Sequence, residues 1–409
     1  MLKVDRPLQR EQATGADAVV AALYHAAGYH VPCNRVVGFT EDMLELEEGA
    51  MVERTYEPDE PMTWRHVRDV LDGARRFPDG AYRAVVSRFV DGEPLGPWSY
   101  LGVRGDDPND VVPHEHRREL RGMYVLNAWV GHWDARDGNT LSSWIEVGSG
   151  GYVRHYLIDF GECLGLVEGN DRRVRRFGHT QWLDAQHLAE DALTFGLLPR
   201  PWHRGELGPA GEVLGYFDVD RFEPDQWRPD YWNGAFERRT EHDAAWMARI
   251  LARFTRAHLE AVARLGRYDE PVTERELVRV LAGRRRAILE RWLTRLSPLA
   301  DPVVRDGEVC MTDLAVTTRL RWPADRRYEA RVYAGDPFER IAAPAVRAGE
   351  RGETVCAAVP DVSDYVVVDL VASTRGAERN GPARLHLARS GAELVLVGLE
   401  RPLSDAPPR

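Results

Sequence analysis

Residues 131–140, "GHWDARDGNT", and residues 157–161, "LIDFG", decide how this chain is read. The first stretch sets a carboxylate at Asp134, a cation at Arg136 and a carboxamide at Asn139. It follows a helical pattern in "EHRRELRGMYVLNAWV", where Leu120, Met123, Asn127 and Val130 share one face. The second stretch closes an alternating, strand-like run, "GYVRHYLIDFG", and delivers Asp159 at a glycine turn. Carboxylate and amide oxygens are hard donors suited to Mg²⁺. Asp134, Asp137 and Asp159 would repel one another if they converged without a cation, and a metal carrying polyphosphate removes that repulsion.

Around these stretches the bulk composition is that of a globular chain. It has 409 residues, 44% hydrophobic and 29% charged, which predicts two or three domains with ample material for a core. A net charge of −11 argues against a general nucleic-acid binder. No run of 18 apolar residues predicts a membrane span, and no secretory leader follows Met1. Cys33, Cys163, Cys310 and Cys356 are far apart and form no Cys-x-x-Cys, so neither zinc nor a disulfide framework is expected, and a reducing, cytoplasmic setting fits.

His-x-Asp-x-x-x-x-Asn at 132–139 followed by Asp-Phe-Gly at 159–161 resembles the catalytic and metal-binding loops of the protein-kinase fold. The wider phrasing, "HEHRRELRG" and "RHYLIDFG", looks most like atypical bacterial kinases, HipA-like and related to the phosphoinositide-kinase branch. The resemblance implies an α+β, bilobal kinase-like domain over 1–297, with a partial N-lobe and hinge to about 100 and a mainly helical C-lobe beyond. It implies Asp134 as base or orienting group, Arg136 near the transferred phosphate, and Asn139 and Asp159 as Mg²⁺ ligands. The implied activity is ATP- and Mg²⁺-dependent phosphoryl transfer to an unidentified protein or small-molecule hydroxyl. The alternatives are a catalytically inactive binding module and an AMP transferase on the same fold. No Ala-Pro-Glu follows Asp159, and the gap from Asn139 to Asp159 is longer than the family's usual one.

Lys3 is the sole lysine; every other one of the 54 basic side chains is arginine. Arginine excess is a compositional habit, but it does not explain the exception. "MLKV" reads as a short strand and "TGADAVVAALYHAAG" (14–28) as a helix after it, which is where the kinase resemblance places a phosphate-binding lysine and its acidic partner. A slim ammonium reaches between phosphates where a planar guanidinium fits poorly. Asp17 shares a face with Val20, Tyr24 and Ala27 and is the candidate partner, with Glu11 as the alternative. Asp17 is equally readable as a first-turn acid favouring the helix dipole. The resemblance also calls for two strands and a phosphate-covering loop before Lys3, and no Gly-x-Gly-x-x-Gly occurs, so the lobe is expected to be incomplete. "VVSRFVDGEPLG" stands where the resemblance joins the lobes, and the backbone of Ser87–Val90 would receive adenine there; an ordinary strand and turn is the equal alternative.

Further strands are expected at "NRVVGF", "MLELEE" and "AYRAVVSRFVDG", and mostly helix over 177–296, notably "EHDAAWMARILARFTRAHLEAVARL" (241–265) and "TERELVRVLAGRRRAILERWLTRL" (273–296). "SPLADP" ends the helical region, and "EARVYAG", "ETVCAAVP", "YVVVDLVAS", "ARLHLARS" and "AELVLVGLE" predict an antiparallel β-sandwich over about 303–400. "HEHRREL" lacks the His-x-x-x-His spacing of a helical metal pair, so His114 and His116 are read as a polar cluster at a helix start. Asn127 is a buried amide needing hydrogen bonds, as core satisfaction or as a brace for the 131–140 loop. "NDRRVRRFGH" (170–179) is a basic run, read as a solvated loop ahead of a phosphate or acidic-substrate contact. Trp129, Trp133 and Trp144 are read as core and loop anchors.

Overall fold

The computed structural model describes all residues except 6, 8–9, 55–57, 166–173, 377–379, 392 and 409. The chain is mixed α+β, its sheets antiparallel, and it forms two compact units. One comprises Met1–Leu120, Leu126–Glu237 and Thr255–Arg284; the other comprises Arg121–Val125, Arg238–Phe254 and Arg285–Arg409.

In the first unit, strand β1 (Leu2–Val4) lies at the edge of a three-stranded sheet. It pairs with β3 (Tyr82–Ser87), which pairs in turn with β2 (Asn34–Phe39). Helix α1 (Gln12–Ala26) packs on this sheet. Val19, Val20, Leu23 and Tyr24 are completely buried. Each such aliphatic side chain contributes about 1.5–3 kcal/mol on leaving water. The helix ends as its glycine foretells: Gly28 takes φ 101°, and the Tyr29 N–H returns to the Tyr24 carbonyl.

The start of α1 has an unusual support. Its N-cap, Glu11, offers no side-chain cap. Asp5 substitutes from outside the helix, accepting from the Thr14 N–H at 2.9 Å and the Thr14 hydroxyl at 2.7 Å. Arg83 holds this group from β3 with its Nε 3.6 Å from Asp5, and it donates to the Thr14 hydroxyl and to the carbonyls of Gly266 and Arg267.

A second sheet joins β4 (Glu93–Gly96), β5 (Thr140–Val147) and β6 (Gly150–Leu157) in that order. Helix α2 (Arg118–Val130) runs into the 131–140 loop that precedes β5. β5 has no counterpart in the sequence reading: "TLSSWIEV" carries the strand formers Thr140, Trp144, Ile145 and Val147, but the adjacent Ser142 and Ser143 break its alternation. The "GSGGY" turn joins it to β6 in register, Val147 opposite Gly150.

In the second unit, two antiparallel sheets share one core. The smaller uses Leu299–Arg305, Glu308–Asp313, Val346–Ala348 and Thr354–Ala358. The larger uses Arg326–Ala334, Glu339–Ala342, Tyr365–Thr374, Ala383–Ser390 and Glu393–Glu400. The five strands expected from the tail pattern are all present.

Four expectations fail. "MLELEE" forms no strand: a 3₁₀ turn, Glu41–Met43, takes in its first residue, and alternation alone supplies no partner ladder. The region 177–296 is less helical than its composition, because Gly196, Pro199, Gly205, Gly208, Pro209, Gly211 and Gly215 break residues 195–233 into turns. The long helix at 241–265 is two, Glu241–Leu251 and Arg256–Ala263, since the Thr255 side chain accepts from the His258 N–H and starts a new one. Cys310 and Cys356 form a disulfide, against expectation. They lie 46 residues apart, but antiparallel pairing puts them directly opposite one another.

Candidate functional site

Lys3 projects from β1 and donates through Nζ to Asp159 Oδ1 at 2.7 Å, across 156 residues of sequence. Burial alone would lower the Lys3 amine, but the Asp159 charge and hydrogen bond outweigh it and hold it above its ordinary value. The same pairing overcomes the effect of burial on Asp159 and keeps its carboxyl below the usual range. Asp159 sits at φ 59°, the left-handed region that Asp tolerates better than most side chains. Two residues on, a Cβ at Gly161 would lie 2.7 Å from Lys3 Nζ, so a larger residue there would require the ammonium to shift from its present position.

Asp17 lies on the inner face of α1 but does not take the Lys3 hydrogen bond. Its Oδ1 accepts from the Phe160 N–H at 3.0 Å and from Asn34 Nδ2 at 2.9 Å. It therefore clamps the segment that carries Asp159, and burial raises its carboxyl above the ordinary value. It is not a first-turn acid, since α1 begins at Gln12. Glu11 is excluded as the lysine's partner: its carboxylate accepts from the Asp269 N–H.

The 131–140 loop is built from the end of α2. Gly131, at φ 67°, turns the chain, and its N–H and that of His132 both return to the Asn127 carbonyl. The Asn127 side chain is a brace as well as a satisfied core amide. Its Oδ1 accepts from the Tyr24 hydroxyl at 2.5 Å, and its Nδ2 reaches the His132 carbonyl at 3.4 Å. Tyr24 also meets His132 Nδ1 at 2.9 Å and packs on Phe160. Tyr24 thus ties α1 to both motif loops, a role no sequence pattern announced.

Because the Tyr24 proton goes to Asn127, His132 Nδ1 must be the donor, and its buried Nε2 has no hydrogen-bond partner among the described residues. Burial lowers this imidazole to about 4. A buried neutral histidine supports the fold above its unfolded value of about 6.5, and that support is lost as pH falls through about 4. Carbon-detected NMR should find the His132 ring titrating near 4; a midpoint near 6.5 would show that the ring is not sealed as described.

Asn139 donates through Nδ2 to Asp134 Oδ2 at 2.7 Å and to the Asp134 carbonyl at 2.8 Å. That leaves Asn139 Oδ1 as the oxygen able to face a cation. Arg136 Nε stands 3.1 Å from Asp134 Oδ1, its guanidinium 5.4 Å from the Tyr231 ring. Burial raises the Asp134 carboxyl, and the charges of both Lys3 and Asp159 reach it. Asp137 is apart from the other acids, accepting from the Tyr100 N–H.

Ser87 does not have the free backbone expected of an adenine receptor. Its N–H donates to the Met1 carbonyl at 2.9 Å, and its carbonyl accepts from the Met1 ammonium. Among the described residues no hydrogen bond engages the backbone of Val90. Trp129 is buried and donates to the Leu281 carbonyl, Trp133 stacks on Phe177 at 3.8 Å, and Trp144 is partly exposed on β5. Of the basic run, residues 170–173 lie outside the described residues; Arg175 and Arg176 donate to nearby backbone carbonyls. Comparison with protein-family models, with curated proteins and with solved structures gives no match to this chain.

Proposed function

We propose that this chain is an ATP- and Mg²⁺-dependent phosphotransferase with a kinase-like bilobal catalytic region, acting on the hydroxyl of a protein or small molecule. The observation that carries the reading is the convergence of Lys3 and Asp159, joined at 2.7 Å, beside the Asp134–Asn139 pair. A lone ammonium among carboxylates suits the phosphates of a metal–nucleotide complex. Lys3 binds phosphate oxygens; Asp159 and Asn139 Oδ1 hold Mg²⁺, which neutralises developing phosphate charge when bound. Asp134, its carboxyl raised by burial, orients the acceptor hydroxyl and takes its proton. Arg136, half exposed beside Tyr231, faces the side from which an acceptor arrives. Val90 contributes free backbone groups for the adenine ring. Such a reaction draws on cellular ATP and goes with a cytoplasmic location.

Substituting Asp134→Asn tests the assignment. Its amide oxygen can still accept from Asn139, so Mg·ATP affinity measured by calorimetry should stay within about threefold. Incorporation of γ-labelled phosphate should fall on the order of 100-fold or more, the range of lost general-base catalysis. Undiminished incorporation overturns the role of Asp134. Transfer of an α-label in place of the γ-label, or nucleotide binding with no transfer of either, overturns phosphotransfer itself.

A further inference from the structure

The histidine of "HEHRREL" has partners that its own segment does not contain. His114 begins a 3₁₀ turn, His114–His116, and is 3% exposed. His116 is exposed, whereas Asp110, four residues before His114, and His155, on β6, converge on His114. One ligand atom from each of Asp110, His114 and His155 lies within 4.8 Å of the others. Tetrahedral donors about 2.0–2.1 Å from a zinc-class ion stand about 3.3 Å apart. His114 Nε2 and Asp110 Oδ2 stand at 2.8 Å and all three ligand atoms lie within 4.8 Å, so small side-chain adjustments reach that spacing.

The hydrogen bonding around the cluster orients it as a donor set. His114 Nδ1 meets the Ser99 carbonyl, which can only accept, so Nδ1 carries a proton. In the neutral ring Nε2 then presents a lone pair toward a carboxylate oxygen, a contact that requires a proton or a cation between them. His155 Nδ1 is engaged by the Ser142 hydroxyl at 3.1 Å, leaving Nε2 as its open nitrogen. These outer partners fix the rings as they do in metal sites generally. Trp98 packs against both rings, at 5.6 Å from His114 and 5.4 Å from His155. Asp110 is further held by Arg117 and by the Arg104 N–H, while the Arg104 side chain is paired with Asp106. All three candidate ligands line a cavity of about 420 Å³, shared with Trp98, Tyr29 and Arg117.

We propose that Asp110, His114 and His155 bind a divalent transition ion of the zinc class, with the remaining coordination position opening on this cavity. Two imidazoles and one carboxylate favour such an ion over Mg²⁺, which prefers oxygen donors and waters. The site shares no residue with the Lys3–Asp159 cluster, so neither reading depends on the other.

The test is a Co²⁺ titration of the untagged full chain after chelator treatment. One equivalent should bind with intense visible d–d absorption of tetrahedral type, and Zn²⁺ should displace it. Co²⁺ held by oxygen ligands at Asp159 would be octahedral and nearly colourless, so the bands report the histidine site. His155→Ala, the least buried ligand, should weaken Co²⁺ binding at least tenfold, while His116→Ala on the exposed face should leave it unchanged. Absence of the tetrahedral bands in the wild-type chain, or bands indifferent to His155→Ala in a variant that retains its thermal transition, overturns the proposal.

Discussion

Asp159→Asn is expected to weaken Mg·ATP binding about 10- to 100-fold without unfolding the chain. The two halves of this result rest on different magnitudes. The Lys3 and Asp159 side chains are 29% and 43% exposed, so water screens their ion pair and it contributes only about 0.5–1 kcal/mol to stability. Asn also tolerates the left-handed backbone at 159, where Ala would add about 1–2 kcal/mol of strain. The fold should therefore survive. Nucleotide binding loses a charged metal ligand, and a charge-assisted contact of about 1.5–3 kcal/mol corresponds to a drop of about 10- to 100-fold. Calorimetry with Mg·ATP, alongside a thermal melt, measures both halves. Unchanged affinity in a folded variant would remove Asp159 from the nucleotide site and the phosphotransferase reading with it.

The second large effect falls on stability. Arg83→Met should destabilise the unit that contains the sheet β1-β3-β2 by about 3–5 kcal/mol, the cost of stranding a buried charge. The Arg83 side chain is 1% exposed and Asp5 is fully buried. Removing the guanidinium leaves Asp5 without its cation, and the carbonyls of Gly266 and Arg267 lose their donor. Burial already holds the Asp5 carboxyl above its ordinary value. Without Arg83 it rises further, so the variant should lose more stability than wild type as pH increases above the ordinary carboxylate range. Adding Asp5→Asn should recover part of the loss, since the amide oxygen can still accept from Thr14. A urea midpoint for Arg83→Met within about 1 kcal/mol of wild type would show that Arg83 does not hold the helix start as described.

The pattern of residues located the motif loops and the tail strands because both are local signals. The β-branched run in "YVVVDLVAS" and the regular spacing of its neighbours sufficed to place the strands, although not every partner is the next strand in sequence: Tyr365–Thr374 pairs with both Arg326–Ala334 and Ala383–Ser390. The apolar run to Val130 and the glycine at 131 likewise placed the 131–140 loop at a helix end. The same local logic failed at "MLELEE", which alternates without a partner, and at Thr255, where a side-chain cap ended a helix that periodicity would have continued.

The amino-acid order by itself determined which groups are available: one ammonium, a spaced Asp-x-Arg-x-x-Asn, and an acid at a glycine turn. Only the tertiary structure decided which of them meet. It gave Lys3 to Asp159 and kept Asp17 for the Phe160 N–H; it set Tyr24 as the link between two loops; and it joined Cys310 to Cys356 and His114 to Asp110 and His155. The physical reason is that hydrogen bonds and ion pairs act over about 3 Å, while the residues that make them are separated by tens to hundreds of positions. Periodicity reports what one element buries, and the partner across the space between elements is set by packing.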